Sequence, residues 1–427
     1  MIQLRTPSRV LVPLGLAVCL SLFGDLTLYA VLVTQLDVVG LSLGTVGVML
    51  GVNRLIRIPS NPLAGALLDR WGRRRLFIFG MLLGVLSTAS YGLVRGFWPF
   101  LLSRLVWGIA WTLINVGGMA MVLDVSTRLN RGRLTGLYNT WLWAGFAFGP
   151  LVGGFLVDII GFRLAMLTCA GLTAVGLAVV GIALPETARS INGDRQGELR
   201  PRLNLRRRLG DTWRQGRDLL HADHSLATLL WLFLITQFAG EGVVFSTISL
   251  LLRQRFGQNV ALGSLMLGVA SASGALLALR SLLASAVGPL AGHLSDTYTG
   301  RWPVIVGSLV AGIVGFGLLA FAASPGAIVL GVALGAASGG AALATLAAQV
   351  GDLTPPGREG VVMGAYATAG DVGSMAGPFL AFALPLVVDL RWIYLLCTFT
   401  FLAGLWLTWR SAAAATTQGA FDSERKV

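Results

Sequence analysis

Charged residues are scarce in this sequence, and one type is nearly absent. Only 12% of the 427 residues are charged, whereas a soluble domain carries roughly a quarter. Lys426 is the only lysine. Because a phosphate-binding P-loop needs a lysine after its glycine turn, ATP hydrolysis of that kind is excluded. Any active process should therefore draw on an ion gradient or on the gradient of a solute.

Cysteine and histidine are also rare. The three cysteines, Cys19, Cys169 and Cys397, lie scattered in apolar runs. That spacing predicts neither a disulfide framework nor a metal cluster. The three histidines lie in polar loops and lack neighbours for a metal site or a nucleophile triad. We therefore expect no enzyme activity, no metal and no cofactor.

The apolar residues, in contrast, are abundant and occur in long runs. Hydrophobic residues make up 55% of the chain, and runs such as 10–35 and 164–184 have roughly the 20-residue length of a membrane-spanning helix. The first run is too long for a signal peptide and lacks a small-residue cleavage site, so an uncleaved helix is expected. Twelve spans are predicted, at residues 10–36, 41–68, 75–94, 97–122, 134–159, 163–184, 225–252, 262–294, 302–323, 325–350, 360–387 and 390–410. The predicted fold class is an all-α polytopic membrane protein with two pseudo-symmetric six-helix bundles.

The net charge of +13 is unevenly distributed along the chain. Alternate loops hold most of the arginines, including those of a polar linker in the middle of the chain. The other loops hold only Arg95, Arg163, Arg253, Arg255 and Arg391. This asymmetry is the positive-inside signal, so it predicts both termini in the cytoplasm and argues against nucleic-acid binding. The arginine-rich, lysine-poor usage suggests a bacterial protein, hence a multi-pass protein of the inner membrane.

The polar linker divides six spans from six. The predicted domains are an N-terminal six-helix bundle at residues 1–184, a cytoplasmic linker at 185–224, a C-terminal six-helix bundle at 225–410 and a cytoplasmic tail at 411–427. The halves repeat in sequence at nearly constant spacing. Asp124, Gly132, Gly136, Tyr138, Gly145, Gly149 and Pro150 recur as Asp352, Gly360, Gly364, Tyr366, Gly373, Gly377 and Pro378. Many secondary transporters are built from such repeats around a midplane site.

The segment between the second and third spans carries a specific motif. From Gly65 to Arg74 it reads G-x-L-x-D-R-x-G-R-R, and a weaker copy lies around Asp296. This motif resembles the loop 2–3 signature of the major facilitator superfamily, and the resemblance extends over nearly the whole chain. It implies a carrier with a cytoplasmic gate. The expected gating residues are Gly65, Asp69, Arg70, Arg73, Asp124, Arg131, Asp296 and Asp352.

Physical chemistry supports a gating role for this motif. Gly65 would permit close helix approach, and the carboxylate of Asp69 can meet arginines or a helix N-terminus. The alternative is a charge cluster that only sets the topology of the chain.

A second motif lies in span 5. Gly145, Gly149, Pro150, Gly153 and Gly154 follow the spacing G-x-x-x-G-P-x-x-G-G, which resembles the antiporter signature of the same family. Small residues allow tight helix packing, and Pro150 favours a bend because it removes a backbone hydrogen bond. The resemblance implies export, although Thr140 stands where the fuller pattern has glycine. Glycine-rich packing without that meaning is the alternative.

A partial third motif lies in span 4. Arg104 and Gly108, four residues apart, resemble the motif that this family links to proton coupling. Trp107 occupies the place of the usual glutamine.

Charged residues inside the predicted spans are the main candidates for function, because each costs on the order of 2.5–3.5 kcal/mol at mid-bilayer. Counted at about 1.5 Å per residue, Asp25 lies level with Arg54, and Glu241 with Arg280. We hypothesise that Asp25 pairs with Arg54 or Arg57, and that protonation breaks the pair. Glu241 would pair similarly with Arg280. Permanent neutralising pairs are the alternative. The proton-coupling candidates are Asp25, Arg104, Glu241 and Asp371.

Aromatic and basic residues in the spans could line a cavity for flat apolar compounds. The candidates are Tyr29, Arg54, Arg57, Trp107, Arg280 and Tyr366. Aromatic side chains in spans also pack against helices or lipid, so packing is the alternative for the rings.

Three functions remain open at this point. A proton-coupled exporter of small amphipathic compounds fits the span 5 motif and the buried acids. A symporter or uniporter for organic anions or metabolites fits the membrane arginines. A membrane scaffold without transport activity would not need matched buried charges. For a carrier, the expected partners are a small-molecule substrate, protons and the lipid bilayer, with no nucleic acid, and the chain should act as a monomer.

Overall fold

The computed structural model of this chain describes residues 7–127, 130–187, 224–262, 265–354, 358–383 and 389–424. Most of the predicted linker, the side chain of Asp69 and the side chains of the predicted tail lie outside this description. Twelve long helices dominate the described residues. They are α1 (Pro7–Val31), α2 (Leu43–Trp71), α3 (Arg73–Leu93), α4 (Phe97–Asp124), α5 (Arg131–Ile160), α6 (Phe162–Ala183), α7 (His224–Gln237 and Phe245–Phe256, joined by the π-helical turn Phe238–Val244), α8 (Val269–Leu294), α9 (Arg301–Phe321), α10 (Pro325–Leu353), α11 (Glu359–Ala383) and α12 (Arg391–Glu424).

The predicted class, an all-α polytopic membrane protein, is confirmed. Ten of the helices in the described residues are long and apolar enough to cross a membrane. The other two, α2 and α11, are long enough but less apolar, because α2 carries Arg54 and Arg57 and α11 carries Asp371 among many glycines. The polar residues that mark these helices as candidates for function also lower their hydropathy.

Tight turns join several consecutive helices. Gly72 lies between α2 and α3 with φ of 92°, and Gly300 precedes α9 with φ of 75°. Only glycine adopts this left-handed region at no steric cost. The two glycines occupy equivalent places in the sequence repeat, so the same turn is made twice.

One expected helix start is wrong. Span 8 was predicted to begin at residue 262, but a short antiparallel hairpin precedes α8, with strands β1 (Asn259–Leu262) and β2 (Leu265–Gly268). The helix itself begins at Val269. A short apolar run does not distinguish a strand from a helix by periodicity alone, which explains the error.

The chain clusters into two compact units. Unit 1 comprises Met1–Asp194, Val244–Leu282 and Met375–Val388, and unit 2 comprises Arg195–Val243, Leu283–Ser374 and Asp389–Val427. The boundaries therefore fall inside α7, α8 and α11. In unit 1, α1 packs chiefly against α5 and α6; in unit 2, α9 packs chiefly against α10 and α12. The six-plus-six domain boundaries stay a prediction.

Candidate functional site

Asp25 is a buried acid of unit 1. It lies on α1, whose residues from Val10 onward are almost all buried, as expected for a helix that is apolar on every side. Asp25 itself is 6% exposed. An isolated charge in such surroundings costs several kcal/mol, so this carboxylate needs a cationic partner.

Arg104 of α4 is that partner. Its side chain is fully buried, and Nη1 donates a hydrogen bond to Oδ1 of Asp25. The same nitrogen donates to the hydroxyl of Tyr91 on α3 at 3.3 Å, while Nε donates to the carbonyl of Met49 on α2 at 2.6 Å. Arg104 therefore joins four helices at one buried ion pair.

The guanidinium of Arg104 has unused bonding capacity. Its Cζ lies 5.8 Å from the ring centroids of both Tyr29 and Tyr91, within the range of cation–π attraction. Its Nη2 has no hydrogen-bond partner among the residues that the structure describes. A buried charged N–H without an acceptor costs free energy. A water molecule or a polar group of a bound compound would gain a strong hydrogen bond at this atom.

The predicted partners of Asp25 are wrong. The sequence predicted Arg54 or Arg57 as the partner of Asp25. In the structure, Asp25 forms its ion pair with Arg104 instead. Counting residues along a helix measures depth in the membrane and says nothing about direction around the helix axis. On α2, Asn53 faces α4, where its backbone lies close to Gly108. Arg54 and Arg57 are half-buried elsewhere on α2.

A chain of rings connects Arg104 to a second buried arginine within unit 1. The ring of Tyr29 meets that of Phe245 edge-on at 5.2 Å, and its hydroxyl donates to the carbonyl of Leu50 at 3.0 Å. The guanidinium of Arg280 lies 5.3 Å from the Phe245 ring centroid. Two candidate residues, Tyr29 and Arg280, are therefore brought together through Phe245.

The remaining candidates for the cavity and for proton coupling lie in different surroundings. Trp107 is buried in unit 1 and stacks on Trp111 with centroids 6.3 Å apart. Tyr366 stacks on Phe233 of unit 2 at 3.8 Å. Glu241 is half-buried on the π-helical turn of α7, a backbone feature that is frequent at functional sites. Asp371 is half-buried on α11. The Glu241–Arg280 pair stays a prediction.

The small residues of α5 bring its backbone close to α1. A Cβ added at Gly149 would lie 3.3 Å from the backbone of Phe23, and one at Gly153 would overlap the hydroxyl of Thr27. That hydroxyl donates to the carbonyl of Gly149 at 3.2 Å. Gly145 lies in the same way against Leu22. These glycines set the position of the helix that carries Asp25.

The opposite side of the same α5 segment meets α8. A Cβ at Gly154 would lie 2.3 Å from the carbonyl oxygen of Ala270, and one at Gly274 would lie 2.2 Å from that of Pro150. Near the end of α5, the carboxylate of Asp158 accepts hydrogen bonds from the backbone N–H of Ser271 at 2.8 Å and its hydroxyl at 2.6 Å. An acid at a helix N-terminus is stabilising, so Asp158 caps α8.

A charged cluster surrounds the start of α3. Arg73 pairs with Asp124 at 3.3 Å, and Asp124 also accepts from the hydroxyl of Thr187 at 3.0 Å. Glu186 accepts from the backbone N–H groups of Arg73 at 3.0 Å and Arg74 at 3.2 Å. It therefore satisfies two of the free N–H groups that begin every helix.

An equivalent cluster is present in unit 2. Arg301 pairs with Asp352 at 2.5 Å and with Asp296 at 2.8 Å. Arg301 and Asp352 are 51 residues apart, as are Arg73 and Asp124. The sequence repeat thus produces the same ion pair twice.

Three other predicted gating residues, Gly65, Arg70 and Arg131, take no part in the contacts described for these two clusters; the side chain of Asp69 lies outside the described residues. Arg70 and Arg131 are exposed. A Cβ at Gly65 would have no atom of the described residues within 4 Å, so no close helix approach is seen there among those residues.

Sequence comparison gives the family. The profile of the Major Facilitator Superfamily matches residues 14–281 and 270–426. The chain belongs to this superfamily.

Relatives of this superfamily member include resistance proteins. The multidrug resistance protein MdtG of Dickeya zeae is 27% identical over 368 residues, which cover 86% of this chain and 84% of that protein. The class C tetracycline resistance protein of Escherichia coli is 25% identical over 378 residues, with 84% and 87% coverage. A bacterial homologue of the human lysosomal transporter Spinster shares the fold, with a TM-score of 0.71, 14% identity and coverage of 94% and 96%.

Sequence reasoning missed several residues of the site in this superfamily member. Tyr91 had a usable signal, because it lies only 13 residues from Arg104, across the short turn between α3 and α4. No sequence signal was available for Phe245, Asp158 and Glu186. Each of them contacts residues more than 30 positions away in the chain.

Proposed function

We propose that this protein exports small amphipathic compounds in exchange for protons, by alternating access in the bacterial inner membrane with both termini cytoplasmic. The observation that carries the proposal is the buried Asp25–Arg104 ion pair. Ionisable residues inside membrane-spanning helices mark substrate pathways and proton relays, among other functional sites, and we assign this pair to a proton relay. The chain would work as a monomer and needs no nucleic acid or cofactor.

Protonation of Asp25 would change the balance between two conformations. A neutral Asp25 no longer compensates the charge on Arg104, and removing one partner of a buried pair costs about 3–5 kcal/mol. Reversing a two-state equilibrium from 1:99 to 99:1 takes about 5.5 kcal/mol. One proton on Asp25 therefore supplies energy of the size that a conformational switch requires.

The contacts around the pair can transmit this change. Arg104 bonds to Met49 and Tyr91 as well as to Asp25, so a shift of its guanidinium acts on α2 and α3 together. α1 is held against α5 by Gly145, Gly149 and Gly153. Packed interfaces of this kind adopt discrete arrangements rather than deforming continuously, which favours rocking of whole helices.

The relatives support the choice of substrate class. MdtG and the class C tetracycline resistance protein are named for resistance to drugs, and each aligns with more than four-fifths of this chain. The α5 motif, which implies export in this family, lies against α1 and α8 as described above. We therefore favour export over the uptake of organic anions.

The proposal is tested in inside-out membrane vesicles with an acidic interior. Lipophilic cations and organic anions are added in turn, and a fluorescent pH probe reports loss of the gradient. We expect dissipation by lipophilic cations with the wild type, none with Asp25→Asn, and full dissipation with Asp37→Asn, which removes an exposed acid after α1. Dissipation only by organic anions, by no compound, or equally with Asp25→Asn would contradict proton-coupled export of amphipathic compounds.

A further inference from the structure

A groove in unit 1 is unrelated to the Asp25–Arg104 pair. It lies between α2, α3 and α4 and has a volume of about 570 Å³. Its walls are apolar, formed by Leu63, Leu67, Phe79, Ile109 and Leu113. The first four of these side chains are between 36% and 49% exposed. The groove therefore opens on the surface of the helices.

The two ends of the groove differ in chemistry. Trp71 and Arg75 lie at the end where α2 passes into α3, and Ser60 and Thr112 lie toward the other end. The hydroxyl of Ser60 donates to the carbonyl of Ile56, whereas that of Thr112 has no hydrogen-bond partner among the described residues. The end of the groove at Trp71 and Arg75, which we call its mouth, is thus cationic, whereas the walls are apolar.

Arg75 is available for a ligand. Its neighbour Arg73 pairs with Asp124, and Arg74 donates to the carbonyl of Gly181 at 2.5 Å. Arg75 is exposed and makes no ion pair with any residue that the structure describes. An exposed arginine at the mouth of an apolar groove matches a molecule with an anionic head and an apolar tail.

The dimensions match a lipid in one leaflet. From Ser60 to Trp71 the rise along α2 is about 16 Å at 1.5 Å per residue, and half of the hydrocarbon core is about 15 Å thick. Trp71 is 57% exposed, and tryptophan concentrates at the level of lipid headgroups. The arginine-rich end of α2 and α3 is the predicted cytoplasmic end, where anionic lipids attract basic residues.

We propose that this groove binds an anionic phospholipid of the cytoplasmic leaflet, with an acyl chain along Leu67 and Phe79 and the phosphate on Arg75. The site holds the lipid against α2, α3 and α4, and the last two of these helices carry Arg73 and Asp124. It does not depend on the direction or coupling of transport.

The test measures lipid retention by the purified full chain. The protein in detergent is mixed with equal amounts of phosphatidylglycerol and phosphatidylcholine of identical acyl chains, and native mass spectrometry counts the lipids that remain bound. We expect preferential retention of phosphatidylglycerol, which inorganic phosphate does not displace. Loss of one basic contact near the headgroup should weaken the binding of phosphatidylglycerol about fivefold. We therefore expect Arg75→Ala to bind this lipid about fivefold more weakly. Leu67→Trp, which fills the groove, should abolish lipid retention.

Two controls complete the experiment. Arg133→Ala removes an exposed arginine near the start of α5 and should leave retention unchanged, as should Thr112→Val. Equal retention of both lipids, displacement by inorganic phosphate, or equal effects of Arg75→Ala and Arg133→Ala would overturn the proposal. Loss of retention with Thr112→Val would also overturn it, because it would assign the groove to a compound whose polar group lies at the Thr112 end.

Discussion

Arg104 on α4 donates a hydrogen bond to Asp25 on α1, and the two side chains are 0% and 8% exposed. The Arg73–Asp124 pair and the two pairs of Arg301 are more exposed, because their side chains are all about a fifth exposed or more. Exposed pairs of that kind contribute about 0–1 kcal/mol. Among these four ion pairs, Asp25–Arg104 should therefore contribute most to stability.

Removal of one member of this pair should destabilise the protein more than removal of both. Asp25→Asn or Arg104→Met leaves an unpaired or unsatisfied buried group and should cost about 3–5 kcal/mol. The double variant removes both charges, so its loss should be clearly smaller than the sum. Denaturation of the purified protein in detergent measures this, with Arg163→Met, an exposed arginine at the start of α6, as the control. Additive losses would contradict a direct pair.

The ring of Phe245 should couple energetically to Arg280. Phe245→Leu keeps most of the buried volume but removes an edge-on ring pair, worth about 0.5–1.5 kcal/mol, and a cation–π contact of up to about 2 kcal/mol. Combined with Arg280→Met, its effect should be less than additive in the same denaturation assay. Phe316→Leu removes a buried ring that packs on Phe401, and its effect should add to that of Arg280→Met. If Phe245→Leu and Phe316→Leu were equally additive with Arg280→Met, the proposed coupling between Phe245 and Arg280 would be contradicted.

Close approach of α5 and α8 predicts a sharp difference between two glycines. Gly154→Ala places a methyl group 2.3 Å from a backbone oxygen, whereas Gly171→Ala on α6 meets nothing within 4 Å in the described structure. Overpacking of this kind costs about 1–3 kcal/mol. The melting temperature should therefore fall for Gly154→Ala and stay level or rise for Gly171→Ala. Similar melting temperatures for the two variants would show that α5 and α8 do not approach this closely.

Glu186 should protect the first turn of α3. Glu186→Ala removes the acceptor for the N–H groups of Arg73 and Arg74, a loss of about 0.5–2 kcal/mol by analogy with N-cap replacements. Hydrogen exchange of peptides that contain these two amides should be faster in the variant, while the middle of α3 should be unaffected. Asp37→Asn serves as the control for loss of an acid elsewhere. Unchanged exchange at Arg73 and Arg74 would contradict the capping role.

Local sequence patterns predicted the helices well. Span 6 was expected at 163–184 and is found at Phe162–Ala183, because both ends are marked by polar residues or glycine next to a long apolar run. The repeated ion pairs also have a sequence basis, since Arg73 and Asp124 recur as Arg301 and Asp352. Features that depend on a single helix and its ends could thus be predicted from the sequence.

Features that depend on how helices face one another could not be predicted from the sequence. Asp25 pairs with an arginine as expected, but that arginine lies on α4 rather than α2, because counting residues along a helix does not fix the direction of a side chain around the helix axis. The contacts of Gly153 with Thr27 and of Asp158 with Ser271 join segments more than a hundred residues apart. Tertiary packing decides such contacts, and one sequence alone carries no signal for them.

The most direct test of the central claim measures protons released when a substrate binds. Tetraphenylphosphonium, a lipophilic cation, is added to the purified protein in weakly buffered detergent solution with a pH indicator, and binding is followed in parallel by calorimetry. The account predicts proton release by the wild type and by Asp37→Asn, and binding without that release by Asp25→Asn. Equal release from Asp25→Asn, or binding by the wild type with no release at all, would contradict the assignment of Asp25 as the coupling acid.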